Sequence, residues 1–149
     1  MPLRDLAAKI AEPQYAGLAD QAVADAINAL RVTVRRPVPT WLVRQAAIEG
    51  GYWPAIVEAR ESPVPQVRGL AITVLAWIDD QSGTIQTVDM DRPAVVSMRS
   101  ALVQAGIVTQ AQADALSALA DQSIPWTESV SLGEVGIGLV INARRLTNG

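Results

Sequence analysis

Cysteine, histidine and phenylalanine are absent from this 149-residue chain, and Lys9 stands alone against eleven arginines. Without thiols or imidazoles there is no disulfide staple, no thiolate nucleophile, no Ser-His-Asp arrangement and none of the usual zinc or iron ligand sets. Only carboxylates remain for acid–base work or for a hard cation. An excess of positive charge is also missing: the net charge is −3, which offers no basic face for broad capture of nucleic acid. Long hydrophobic runs are missing too. The longest, LAITVLAWI (70–78), falls far short of the roughly 20 residues that cross a bilayer, and the opening MPLRDLAAKI lacks the apolar core of a signal peptide. The expectation is a protein with no membrane span, made and assembled in the cytoplasm. The arginine bias reads as the coding preference of a GC-rich genome.

What is present is apolar and patterned for helix. Half the residues are hydrophobic and 18% are charged, which suits one domain with a real core. Leu3, Leu6 and Ile10 recur at helical spacing, and Pro13 stops that helix. Asp20 reads as the N-cap of a second helix striped by Val23, Ile27 and Leu30. RVTVRR (31–36) breaks the helical period and alternates weakly, as a short extended piece does. Pro37 and Pro39 lead into a third helix, about 40–49, which Gly50-Gly51 ends. YWPAIVEARES follows, with Pro54 in a first turn.

The helix from about 66 to 79 is the most apolar and is expected to be central. Val67, Leu70, Val74 and Ile78 line one side while Ile72, Leu75 and Trp77 cover another, so burial nearly all round is expected. DQSGTIQTVDMDRP is a loop, and Asp91 then reads as the cap of a helix carrying Val95, Met98 and Leu102. Gly106-Ile107 has the form of a Schellman stop, and Thr109 with Gln112 that of a capping box. A last short helix ends in Arg144-Arg145, two cations that complement its dipole. The fold class that follows is mainly α: a compact bundle of about seven short helices with at most one short β-strand pair. It is read as one helical domain over 1–149, with the 81–92 loop as the place where it would subdivide.

Several stretches invite a chemical reading. Residues 40–62 could form a helix-turn-helix, with Arg44 nearby and Arg31, Arg35 and Arg36 upstream. Glu58 and Glu61 would then face the phosphates, and Tyr52-Trp53-Pro54 would sit where small polar residues normally read bases, so a plain helix pair is favoured. Asp79, Asp80, Asp89 and Asp91 could converge as oxygen ligands, but no loop spacing, turn glycine or closing glutamate supports a cation there. GEVGIGLVI (133–141) has the wrong glycine spacing for a dinucleotide loop. Of the four tryptophans, Trp77 reads as core. Trp41 and Trp53 admit two readings: anchors of an interface beside arginines, or packing on the central helix. No catalytic, cofactor-binding or metal-binding residue is assigned.

Three segments, DQAVADAIN (20–28), DRPAVVSMRSALVQAGIVTQAQADALSALAD (91–121) and WTESVSLGEVGIGLVINARRL (126–146), together resemble a group of proteins from tailed bacteriophages of proteobacteria. That group has an Asp-x(4)-Ala-Asp-x(2)-Asn opening, an Arg-rich turn, a D-P-A-V helix ending in A-G-(I/V)-(L/V)-T, and a W-x-E…LG-x-V-x-x-G-x-V close. Asp20, Asp25, Asn28, Pro93, Gly106, Thr109, Trp126, Leu132, Gly133, Val135, Gly138 and Val140 fall on the pattern. GIG departs from it, standing where a polar cap is expected, so the last helix should start late. The resemblance covers about two thirds of the chain and brings no catalytic residue. It implies a gene among those for virion structure, near the tail.

The expectation is therefore a non-enzymatic structural component of a tailed-phage virion, a tail-associated adaptor with no cofactor. It would be present in multiple copies or as a homo-oligomeric ring against other virion proteins, with no membrane and no nucleic acid as partner. RVTVRR would add to a partner's sheet edge, Arg31, Arg35 and Arg36 would meet carboxylates, and Trp41 and Trp53 would anchor the contact. The alternative is a phage-encoded cytoplasmic chaperone or regulatory protein that is not retained in the particle.

Overall fold

The computed structural model describes residues 1–79 and 82–149. In chain order the elements are α1 (Pro2–Ile10), α2 (Asp20–Ala29), β1 (Arg31–Arg35), β2 (Val38–Pro39), α3 (Thr40–Glu49), α4 (Trp53–Ala59), α5 (Pro65–Ile78), β3 (Thr87–Val88), α6 (Pro93–Gln104), α7 (Gln110–Ala118), β4 (Asp121–Pro125), α8 (Trp126–Ser129) and α9 (Ile137–Thr147). A single 3-10 turn at Pro13–Tyr15 follows α1. The chain is mainly helical, with 61% of it in helix. Among the described residues nine helices stand where about seven were expected, the four-residue α8 being one of them. Among the described residues there are two strand pairs where at most one was expected, β1 with β4 and β2 with β3.

The described residues form two compact units, 1–34 with 123–149, and 35–122. The described part of the 81–92 loop lies inside the second unit. In the first unit α1 and α9 pack most extensively, and the core is built on Leu6, Ile10, Tyr15, Val23, Ile27, Val135 and Val140. Arg144, in the last turn of α9, donates to Asp20 Oδ1 at 2.6 Å and to the Leu18 carbonyl at 2.7 Å. Asp20 is therefore not the N-cap expected of it. Ala19 caps, and Asp20 sits one position inside α2, where a carboxylate still favours the positive helix end and also holds Arg144. The N-cap of α9 is Gly136, the first residue of GIG, with no side-chain cap, and the helix begins directly after it at Ile137.

In the second unit α3 to α7 surround Val38, Val43, Ala47, Tyr52, Ile56, Val74, Ile78, Val88, Met90, Val95 and Leu102. The Schellman stop forms: Gly106 takes φ +72°, its N–H donates to the Val103 carbonyl, and the Ile107 N–H donates to that of Leu102. The capping box forms as well, with the Gln112 N–H on Thr109 Oγ1 and the Thr109 N–H on Gln112 Oε1. Asp91 is not a cap. Arg92 occupies that position without a side-chain bond, and Asp91 is engaged elsewhere.

Helix α5 is not buried all round. Ala71, Val74 and Ile78 are its buried face, while Ile72 is 51% exposed and Trp77 only half-buried. α3, α4 and α6 pack on α5, and they leave Ile72 on the side they do not cover.

The folded chain also uses one sequence twice. DQAVADAINAL (20–30) and TQAQADALSAL (109–119) agree at seven of eleven positions. Each forms a helix, α2 and α7, and each runs at once into a strand of the β1–β4 pair. The local bond repeats too, Gln21 Nε2 to Asp25 Oδ1 at 2.8 Å and Gln110 Nε2 to Asp114 Oδ1 at 2.9 Å. At the matching positions Asn28 and Ser117 each make a long-range polar contact.

Candidate docking surface

The stretch from Arg31 to Trp53 carries every residue expected at an interface, and the fold treats them differently. β1 alternates, with Val32 and Val34 half-buried and Arg31, Thr33 and Arg35 exposed. One of its edges is already taken within the chain by β4. Arg31 leans on Ser123, with Nε to Oγ at 3.1 Å and Nη2 to the carbonyl at 2.6 Å.

Arg35 spends its whole guanidinium internally. Its Nε and Nη2 donate to the two carboxylate oxygens of Asp91 at 3.0 and 2.7 Å. Nη1 donates to Asp121 Oδ1 and the Ser117 carbonyl, at 2.9 and 3.0 Å, and Nη2 also to Ser117 Oγ at 3.0 Å. Five donors meet five acceptors in a planar fork, the geometry for which arginine rather than lysine is suited. The guanidinium of Arg35 is held in its charged form more firmly than usual by Asp91 first and Asp121 second, and Asp91 is pushed below the ordinary carboxylate range by the bond to Arg35. Arg36, also exposed, donates its backbone N–H to the Ala120 carbonyl.

The two prolines then aim α3. Val38 and Pro39 pair antiparallel with Val88 and Thr87, and the Thr40 N–H donates to the Gln86 carbonyl at 3.0 Å. Pro39, extended at φ −57° and ψ 135°, is the N-cap of α3. The helix buries Val43 and Ala47, with Leu42 and Ala46 half-buried on the same core. Trp41, Gln45 and Ile48, at i, i+4 and i+7, therefore lie on the outer face. Trp41 is 60% exposed and Ile48 55%. Beside them Arg44 donates to Asp79 Oδ1 at 2.9 Å, fastening α3 to the end of α5.

Trp53 goes the other way: it opens α4, is half-buried and packs against the core. The structure thus separates the two tryptophans that the sequence left together. Ile48 was missed, although its i+7 relation to Trp41, opposite Val43 and Ala47, was there to be read. The face is apolar and free of charge apart from Glu49, whose Oε1 accepts from Gln45 at 2.8 Å. Such a face offers non-directional contact.

The other candidates disperse. α3 and α4 form a helix pair joined at Gly50-Gly51, but Arg44 is tied to Asp79 and Glu58 is exposed. Asp79 and Asp91 are held by different arginines, Asp89 Oδ1 accepts the Asp91 N–H, and Asp80 lies outside the described residues. Among the described residues no helix is long and apolar enough to cross a membrane. Comparison with known proteins found no matching family model, no matching curated protein and no matching solved structure.

Proposed function

We propose that this chain is a non-enzymatic structural component of a tailed-phage virion, a tail-associated adaptor that docks on neighbouring virion proteins in multiple copies. The observation that carries the docking is the outward apolar stripe of α3, where Trp41 and Ile48 leave more than half their surface to solvent. Large aromatics held rigidly by the backbone, at low entropy cost, are the usual centres of interface energy. The phage context rests on the resemblance carried by 20–28, 91–121 and 126–146. Within that reading Trp53 supports α4 from the core side, and Arg35 acts as an internal brace that ties its own segment to Asp91, Ser117 and Asp121.

Quantitative mass spectrometry of purified particles from the source strain tests this, counting the chain against the major capsid and tail-tube proteins. A fixed multiple-copy stoichiometry is the expected result, and the number identifies the ring. Absence from particles with abundance in infected cells would overturn it in favour of a cytoplasmic chaperone or regulator.

A further inference from the structure

The unit of residues 35–122 is not packed solid. A cavity of about 60 Å³ lies among α3 to α7 and β3, lined by Ala47, Val74, Val95, Leu102 and their neighbours. Its walls are aliphatic, aromatic and thioether. Arg99 also borders it, but its Nη1 is drawn to the Met90 carbonyl at 3.1 Å. Well-packed interiors leave few voids larger than a water molecule. With so few polar groups in the lining, a water here is poorly supplied with the two to four polar partners it needs. An apolar guest, by contrast, restores dispersion contacts that the walls lack.

The wall has a weak side. Most of the lining is buried, whereas Trp77, Met98 and Arg99 are half-buried. Trp77 also lines an open cleft with Pro37, Thr87, Asp89 and Arg92, and among the described residues it is the one side chain shared by cleft and cavity. The Arg92 guanidinium carbon stands 5.9 Å from the Trp77 ring centroid, within cation–π range. Met98 is flexible and unbranched, so it can yield when the ring moves.

We propose that this cavity is a binding site for a small uncharged apolar molecule, admitted from the cleft past Trp77. The lining sets the class: apart from the Tyr52 phenol, the Trp77 indole N–H and the Arg99 guanidinium, every side chain that lines it is apolar. Volume sets the size: an apolar cavity of about 150 Å³ accommodates benzene, so this one selects smaller guests, such as a short unbranched alkyl group. The site stands apart from the α3 docking stripe and does not depend on it.

Xenon is the probe, titrated into the full chain and followed by amide and indole NMR. Saturable shifts are expected at Ala47, Val74, Leu102 and the Trp77 indole, with none at the Trp41 or Trp126 indoles. Val74→Ile and Val95→Leu each fill part of the space, and either should weaken xenon binding about tenfold while preserving the dispersed spectrum of the folded chain. Two filling variants are named so that failure of one to fold leaves the other to decide. Absence of saturable shifts, or unchanged affinity in a folded filling variant, overturns the site. Trp77→Ala should speed xenon exchange, and an unchanged rate overturns the route past Trp77.

Discussion

The carboxamide of Asn28 closes a two-point hydrogen bond with the backbone of Val135, 107 residues away. Nδ2 donates to the Val135 carbonyl at 2.9 Å and the Val135 N–H donates to Oδ1 at 2.8 Å. Val135 is 2% exposed, so its backbone groups have little recourse to water. An asparagine offers donor and acceptor side by side, as a peptide does, and so stands in for a strand partner. Asn28→Ala should cost about 2 kcal/mol, measured by urea unfolding, because two partly buried backbone groups lose their partners. Asn28→Asp should cost at least as much at neutral pH, since an acceptor would then face the Val135 carbonyl. A neutral effect of both would show that water replaces the amide freely.

Arg35 and Asp91 predict a pH dependence. Asp91 has its folded pKa below the ordinary value, because Arg35 favours its charged form. A depressed carboxylate contributes stability that is fully present above its unfolded pKa, near 4 by the usual value, and is lost as pH falls through the lower folded value. Asp91→Asn should therefore flatten the fall of stability below about pH 4 while lowering stability at neutral pH. Arg35→Lys should fail to restore wild-type stability, since one ammonium cannot serve Asp91, Asp121 and Ser117 from a planar fork. Equal stability of Arg35→Lys and the native chain, by thermal unfolding, would refute the brace.

Tyr52 should reveal itself in alkali. Burial pushes its phenol up to about 12 from the usual 10.0. The folded state then binds the proton more tightly than the unfolded state. Stability is whole below pH 10 and drains away as pH rises towards 12. In a Tyr15→Phe background, phenolate absorbance should follow that late step. Tyr52→Phe should remove part of the alkaline loss. An ordinary titration midpoint for Tyr52 in the folded chain would contradict its buried position.

Gly50 and Gly51 are needed for different reasons. A Cβ at Gly50 would fall 2.6 Å from Tyr52 Cε1 and 3.0 Å from the Ala46 carbonyl oxygen, so Gly50→Ala must displace the ring or the helix end. Gly51 has open space around it but φ +76°, where a Cβ strains the backbone. Gly50→Ala should cost roughly 1–3 kcal/mol through overpacking, and Gly51→Ala about 1 kcal/mol. Gly51→Asn should cost less than Gly51→Ala, because asparagine tolerates the left-handed region. The reverse order in chemical unfolding would show that the turn relaxes.

Trp41→Ala with Ile48→Ser removes the outer stripe of α3 without touching Val43 or Ala47 beneath it. Stability should stay within about 0.5 kcal/mol of the parent, whereas under the proposed virion role copies per particle should drop sharply. Normal incorporation of a folded double variant would remove α3 from the docking reading.

Much of the local architecture was legible, since caps and stops act over four or five residues. Thr109 with Gln112, Gly106 with Ile107, and Gly50-Gly51 each mark a helix end where the sequence placed it. The charged residues were harder. Asp20 and Asp91 look like caps because caps are the commonest short-range use of aspartate, yet each is spoken for by an arginine far along the chain. Of the interface residues, Trp41 could be weighed but not decided, because exposure depends on which face of α3 the core takes.

The sequence by itself determined the helical character, most element boundaries and, through the absence of cysteine and histidine, the chemistry that is closed to this protein. Each of these depends on residue type and near-neighbour spacing. Only the tertiary structure decided that Arg35 is a brace, that Trp41 faces out while Trp53 faces in, that α5 has a bare side, and that an apolar void remains beside Trp77. Burial, the saturation of a guanidinium and the volume left between side chains are properties of surfaces brought together from distant parts of the chain, and no local pattern encodes them.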